Sequence, residues 1–200
     1  MFSLSGLKAQ QDSSISESKR KFLFGFDSRR SIIENKPSRI FGIRIGMQLK
    51  KPRVRIGLGA YNMQNQMLRP NENVAEVAES IDTLRIDYGY LGFFYEYVWL
   101  EKNKYEVSTP FLLGAGSVDR SYYTKTRELQ KLPKLNITVL EIGVAAHYKI
   151  KPWAGIGSGF GYNLVLSGKP ELSRAFNSPF YVFKLKLFLG DLYRGILNKD

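Results

Sequence analysis

Arg39-Ile-Phe-Gly-Ile-Arg-Ile-Gly-Met-Gln-Leu49 alternates with a period of two. Phe41, Ile43, Ile45, Met47 and Leu49 fall on one side, and Gly42, Arg44, Gly46 and Gln48 on the other. That is the period of a β-strand, whose side chains leave on alternate faces. One face is wholly apolar; the other carries glycine, amide and guanidinium. In a soluble barrel or sandwich the apolar face would line the core. Glycine and charge on the second face instead fit the watery or ion-paired inside of a transmembrane barrel, with the apolar face turned to lipid.

The same rhythm continues outward from this segment. Upstream, Arg20–Asp27 sets Phe22, Phe24 and Phe26 on one face, and a polar loop containing Pro37 follows. Downstream of Lys50-Lys-Pro52, the strand Arg53–Asn62 alternates Val54, Ile56, Leu58 and Ala60 with Arg55, Gly57, Gly59 and Tyr61. Thr83–Trp99 places Leu84, Ile86, Tyr88 and Tyr90 outward, then changes parity to Leu91, Phe93, Tyr95, Tyr97 and Trp99. A parity change inside one apolar run predicts a β-bulge near Tyr90–Leu91. Further strands are predicted over Tyr105–Val118, Ile137–Ile150, Trp153–Leu164 and Pro179–Leu189.

Eight strands result, with tight turns after the second, fourth and sixth and long loops after the first, third, fifth and seventh. Most are near the roughly 9 to 11 residues that a tilted strand needs to cross a bilayer. These features predict an all-β, eight-stranded antiparallel up-and-down transmembrane β-barrel, with short turns and both termini on the periplasmic side. Tyr97, Trp99, Tyr148 and Trp153 gather at the short-turn end, and Phe41, Tyr162 and Tyr181 near the other, as interfacial girdles do. The competing reading makes them core aromatics of a soluble barrel.

Composition bounds the rest. Two hundred residues fit one domain. The absence of cysteine removes disulfides, thiolate metal sites and a cysteine nucleophile. Thirty basic against 18 acidic residues give a net charge of +12, yet no nucleic-acid-binding motif accompanies it, so no nucleic-acid partner is expected. No apolar run is long enough for a membrane helix, which leaves barrel spanning open. Residues 1–19 resemble the last part of a signal peptide, or else a disordered polar leader, and stand outside the fold. The barrel is assigned to residues 20–189 and a short tail to 190–200.

With the strands in place, the chain resembles the small outer-membrane β-barrel family, the OmpX-like and OmpA-transmembrane-like proteins. Phe41-Gly-Ile-Arg-Ile-Gly-Met47, Pro110-Phe-Leu-Leu-Gly-Ala-Gly116 and Trp153-Ala-Gly-Ile-Gly-Ser-Gly-Phe-Gly-Tyr162 carry the resemblance, which covers roughly residues 20–189. It implies the bacterial outer membrane, with lipid and lipopolysaccharide as neighbours and a possible protein partner at the external loops. It says little about activity, since such barrels include adhesion, structural and enzymatic members. Members commonly end on an aromatic residue; here Phe188 sits in that region and Gly190–Asp200 continues beyond it.

Parity places Arg44, Arg55, Arg85, Lys149, Lys184 and Lys186 inside, with Asp87, Glu96, Glu106, Glu141 and His147. Buried charges must pair or meet trapped water, so an interior polar network is expected, with a small-ligand pocket as the alternative. Gly155, Gly157, Gly159 and Gly161 form an inward row that makes room for long side chains, and Glu141 is expected to pair with Lys184 or Lys186 across it. His147, the only histidine, lacks a partner serine two residues on, where Lys149 stands; neither a catalytic residue, a metal site nor a cofactor is expected. Asn73-Val-Ala-Glu76 reads as a capping box opening a short helix. The loop Asp119–Asn136 brings Arg120, Lys125, Arg127, Lys131 and Lys134 together with Tyr122 and Tyr123, a candidate contact for lipopolysaccharide phosphates or surface glycans. The function expected is a non-catalytic outer-membrane barrel with a structural, adhesion or partner-docking role. The alternatives are a subunit of a secretion or assembly machine, a lipid-modifying enzyme and a soluble lipocalin-like binder.

Overall fold

The computed structural model describes residues 21–33, 36–49, 53–64, 67–70, 83–123, 129–167, 170–189 and 191–192. The elements are β1 (Lys21–Ile33), β2 (Lys36–Leu49), β3 (Val54–Met63), β4 (Met67–Pro70), β5 (Thr83–Lys102), β6 (Tyr105–Tyr123), β7 (Leu129–Lys131), β8 (Leu135–Lys151), β9 (Ala154–Ser167), α1 (Pro170–Phe176) and β10 (Ser178–Phe188). Eight of the strands close on themselves in the order β1-β2-β3-β5-β6-β8-β9-β10 and back to β1, every pairing antiparallel. The short β4 and β7 add to the free sides of β5 and β6 beyond the closed wall. The barrel expected from the sequence is therefore the barrel found.

Closure requires the strands to tilt, and the register records it. A row of partners starting at Phe22 runs through Met47, Ile56, Tyr95, Phe111, Ile142 and Tyr162 to Pro179, one residue short of the Phe180–Ser31 pair. The row thus returns to β1 about ten residues above its start, the stagger of a strongly tilted barrel.

Two connections differ from expectation. β1 does not stop at Asp27: it continues to Ile33, which pairs with Lys36, so Pro37 lies in β2 and no long first loop exists. Arg29, Arg30 and Ser31 read as loop because they are polar, but Arg29 and Ser31 point into a polar lumen and Arg30 points outward. The fourth connection contains α1, opened by Pro170, whose fixed φ suits a first helical turn, with Arg174 near its end. The predicted helix after Asn73 and the segments 1–20 and 193–200 lie outside the described residues. At the short-turn end Lys102 pairs with Tyr105, and Asn103 adopts φ 54°, a left-handed conformation that asparagine accepts in tight hairpins.

The predicted bulge at Tyr90–Leu91 is absent, and the alternation runs unbroken from Leu84 to Val98. The register shift lies between Val98 and Leu100 instead. Leu84, Ile86, Tyr88 and Tyr90 face inward and are buried, which places Arg85 and Asp87 on the outer face, where they pair with each other at 3.2 Å. The cause is a change of surroundings, not of geometry. Toward the short-turn end, lipid lies outside and charge inside; toward the loop end, water lies outside and the interior is apolar. β8, which also runs from the loop end to the short-turn end, repeats the inversion in the same sense: buried Ile137 and Val139 give way to buried Glu141, while outer Asn136 and Thr138 give way to Leu140 and Ile142.

The interior therefore has two storeys. At the loop end, Ile33, Ile40, Met63, Leu84, Ile86, Tyr88, Val118, Ile137, Val139 and Val165 form an apolar core, closed by Phe176 of α1. Phe176 stacks on Tyr88 with ring centroids 5.0 Å apart, and Asn177 accepts a hydrogen bond from the Val165 N–H at 2.6 Å. Below this core lies the charged storey. The outer wall around it exposes Phe22, Ile43, Ile45, Leu58, Leu91, Phe93, Phe111, Leu113, Ile142, Ile156, Phe160 and Phe183, bordered by Tyr97, Trp99 and Tyr148 at one end and Phe41, Tyr162 and Tyr181 at the other. A continuous apolar belt between aromatic rims is the surface a bilayer solvates. No helix among the described residues is long and apolar enough to cross a membrane.

Candidate functional site

Inward residues of seven of the eight wall strands, all but β9, build the charged storey in two knots. The upper knot centres on Arg29 from β1. Its Nη1 pairs with Glu141 of β8 and donates to Tyr90 Oη at 2.8 Å, and Tyr90 in turn donates to Glu141. The same guanidinium reaches Asp27 Oδ2 at 3.3 Å and lies over the Tyr61 ring, 4.0 Å from its centroid. Arg44 Nε meets Asp27 Oδ2 at 3.1 Å from the other side.

The lower knot centres on Arg55 of β3, which grips both oxygens of Glu106 and meets Glu96 Oε1 at 3.1 Å. Lys186 reaches Glu96 Oε1 at 2.6 Å and Glu106 Oε1 at 3.6 Å. Ser108 donates to Glu96 Oε1 at 2.7 Å. Arg44 Nη1, 3.7 Å from Glu96 Oε2, links the two knots. The buried charges nearly cancel: Arg29, Arg44, Arg55, Lys184 and Lys186 stand against Asp27, Glu96, Glu106 and Glu141. Near-neutrality is what makes such burial tolerable, because each ion left without a partner would cost several kcal/mol, ~3–5.

Of the residues singled out from sequence, Arg44, Arg55, Glu96, Glu141, His147, Lys184 and Lys186 are all buried in the lumen. Arg85 and Asp87 are not: both belong to the outer face of β5 in the water-exposed zone. Lys149 lies at the short-turn rim, where it pairs with Glu101 of the neighbouring hairpin. Glu141 pairs with neither Lys184 nor Lys186. The register sets Glu141 opposite Asn163 and then Ser178, whereas Lys184 is level with Gly157 and His147, six residues away along each strand. Tilt carries Arg29 to Glu141 instead. Asp27 and Arg29 were the residues missed, and their signal was the unbroken β1 alternation past Phe26.

The glycine row does make room. A Cβ at Gly157 would lie 2.7 Å from His147 Nε2, and one at Gly161 would lie 2.7 Å from Phe180 Cζ. His147 is buried with Nδ1 3.5 Å from Glu106 Oε1, and neither ring nitrogen has a hydrogen-bond partner within the protein. Glu96, Glu106 and His147 offer atoms within 4.8 Å of one another. That grouping suits a metal poorly, since Arg55 and Lys186 already hold the two carboxylates and would repel a further cation. Between the knots and the wall a cavity of about 20 Å³, lined in part by Arg29, Arg44, Glu141 and Lys184, has room for about one water.

The loop-end cationic group is dispersed. Tyr122 turns inward, is buried, and donates to Gln130 Oε1 at 2.6 Å, because β6 continues through it in register with β5 and β7. It is therefore not a surface contact. Tyr123 and Lys131 are exposed, Arg120 is partly buried on β6, and Lys134 pairs with Asp119 at 3.1 Å. Lys125 and Arg127 lie outside the described residues.

No family model matches the sequence, and no curated protein does. Solved structures share its architecture. A major outer membrane protein from Thermus thermophilus superposes with a TM-score of 0.59 at 12% identity, covering 84% of this chain and 98% of that one. Neisserial surface protein A gives 0.48 at 11% identity over 84% and 96%, and Ail, the attachment invasion locus protein of Yersinia pestis, 0.41 at 17% over 84% and 94%. The first of these carries the fold: the chain is a small outer-membrane-type β-barrel, with a lipid-facing wall and a filled lumen.

Proposed function

We propose that this outer-membrane barrel is a non-catalytic structural and docking element, working through the surface it presents at the loop end. The observation that supports this is the filling of the lumen. A charged storey in which Arg29, Arg44, Arg55 and Lys186 pair with Asp27, Glu96, Glu106 and Glu141 lies beneath an apolar storey closed by Phe176, and the cavity between the knots and the wall has room for about one water. Solute passage would require breaking both. Chemistry inside is equally poorly served: Ser108 donates its hydrogen bond to Glu96, and His147 is held under Gly157 with no hydrogen-bonded nucleophile among the described residues to activate.

The surface left to act is external. β5 and β6 continue past the apolar belt, and β4 and β7 widen them into a four-stranded sheet, β4-β5-β6-β7, standing in water. The stretch of sequence between Tyr123 and Leu135 carries Lys125, Arg127, Lys131 and Lys134, which fit anionic partners such as lipopolysaccharide phosphates or sulphated glycans. The test is retention of the refolded whole barrel on immobilised lipopolysaccharide and on a sulphated-glycan resin, with those four residues changed to glutamine. Weaker retention of the variant at low salt supports the reading. Equal retention removes these cations from it, and stepwise ion currents through the wild-type barrel in a planar bilayer would contradict the closed lumen.

A further inference from the structure

On the outer wall at the loop end, β1, β2 and β10 enclose a groove of about 570 Å³ whose lining includes Arg30, Ile32, Pro37, Arg39, Pro179 and Tyr181. Arg30 and Arg39 are direct cross-strand partners, and both side chains are exposed on the outer face. Like charges placed opposite each other on one face of a sheet repel. Among the described residues no carboxylate pairs with either. Arg30 has only the Tyr181 hydroxyl, at 3.4 Å. A repulsive pair is thus built into the wall with no counter-charge among the described residues.

The height of the pair narrows what would neutralise it. Tyr181 belongs to the aromatic rim at the loop end, where hydrocarbon gives way to headgroups. Two guanidiniums offer forked donors that match phosphate oxygens. A free phosphate would make no use of Ile32, Pro37 and Pro179, whereas a phosphate carrying acyl chains would use the cations and the apolar lining together. We propose that this groove binds the phosphorylated headgroup of an outer-leaflet glycolipid, its phosphate between Arg30 and Arg39 and its chains along the wall below. The proposal rests on the loop end facing outward, as the proposed function also does, but not on any role of the loop cations.

The experiment titrates the refolded whole barrel in detergent with diphosphoryl lipid A and with the same lipid stripped of both phosphates. The diphosphoryl lipid is expected to bind the wild-type barrel and the stripped lipid to fail. R30Q/R39Q should bind the diphosphoryl lipid at least about tenfold more weakly, equivalent to about 1.4 kcal/mol. Without lipid, R39Q should raise the thermal midpoint, because it relieves the repulsion. Should the double variant not show the heat-dependent gel shift of a folded barrel, R39Q and the stripped lipid carry the test. Equal binding of the stripped lipid, or unchanged binding by the variants, overturns the proposal. So does inorganic phosphate raising the midpoint as much as lipid A, since the occupant would then be a free anion. K102Q/K104Q, which removes two exposed cations at the short-turn end, should bind lipid A normally; a loss there as large as that of R30Q/R39Q would mean that net charge alone draws the lipid and would refute the groove.

Discussion

Tyr90 and Leu91, neighbours in sequence, stand back to back across the barrel wall: Tyr90 is 4% exposed and donates to Glu141 in the lumen, and Leu91 is 69% exposed on the outside. Above this pair the inward residues of β5 are Leu84, Ile86 and Tyr88; below it the outward ones are Phe93, Tyr95 and Tyr97. The strand keeps its geometry while its two solvents exchange places. The phase reversal along β5 therefore marks the membrane boundary on the loop side, and β8 marks it again at Val139–Leu140.

The boundary makes a direct energetic prediction. Arginine in place of Leu113, in the exposed apolar belt, should cost about 2–4 kcal/mol, while arginine in place of Ser117, two outward positions nearer the loop end, should cost about 0–1. Urea unfolding in lipid vesicles measures both. Equal costs would mean that the two positions share one environment.

The reversal also explains what the sequence could and could not convey. Phe41 to Leu49 was legible because lipid outside and polar lumen inside give opposite faces opposite chemistry. Leu84 to Trp99 misled because hydrophobicity reports burial from water and does not say whether lipid or protein does the burying. Read by hydrophobicity alone, Arg85 and Asp87 fell inside and a bulge was required. Arg29 was lost differently, since a guanidinium two residues past Asp27 looks like the start of a loop until Glu141, Tyr90 and Tyr61 are seen waiting for it. Its partners are more than thirty residues away, and only the stagger of the barrel brings them together.

Arg55 and Glu106 should behave as a buried pair. Glu106→Ala leaves Arg55 and Lys186 to share Glu96 and should cost about 3–5 kcal/mol, whereas removing both Glu106 and Arg55 with apolar replacements of similar volume should cost far less than the two single changes together. A double-mutant cycle on vesicle-reconstituted protein gives the coupling. Additive effects would show that the two groups do not interact.

Gly157 should be required by the His147 ring. Gly157→Ala drives a Cβ into the imidazole and should destabilise the barrel by about 1–3 kcal/mol, and His147→Ala in the same chain should recover part of that loss, since the Ala146 carbonyl oxygen still lies 2.9 Å from that Cβ. Gel-shift thermal curves compare the three variants. Failure of the second change to rescue the first would place the glycine requirement elsewhere.

Phe176 should hold α1 over the apolar storey. Phe176→Ala should cost up to about 3–5 kcal/mol, but since α1 lies outside the belt the loss should appear as local opening, with tryptic cleavage at exposed Arg174 accelerating while the barrel keeps its heat-dependent mobility. Unchanged cleavage would show that the helix is secured without Phe176.

The most direct test follows from the absence of cysteine in the chain. Single cysteines placed in turn from residue 84 to 97 on β5, labelled with a fluorophore and reconstituted into vesicles, report contact with brominated lipid. Quenching at 91, 93, 95 and 97, with 85 and 87 unquenched and reactive toward a membrane-impermeant reagent, is the predicted result. Quenching at 84, 86, 88 and 90 would contradict it, because those side chains would then face lipid and the strand would carry a bulge at Tyr90–Leu91 instead of the membrane boundary.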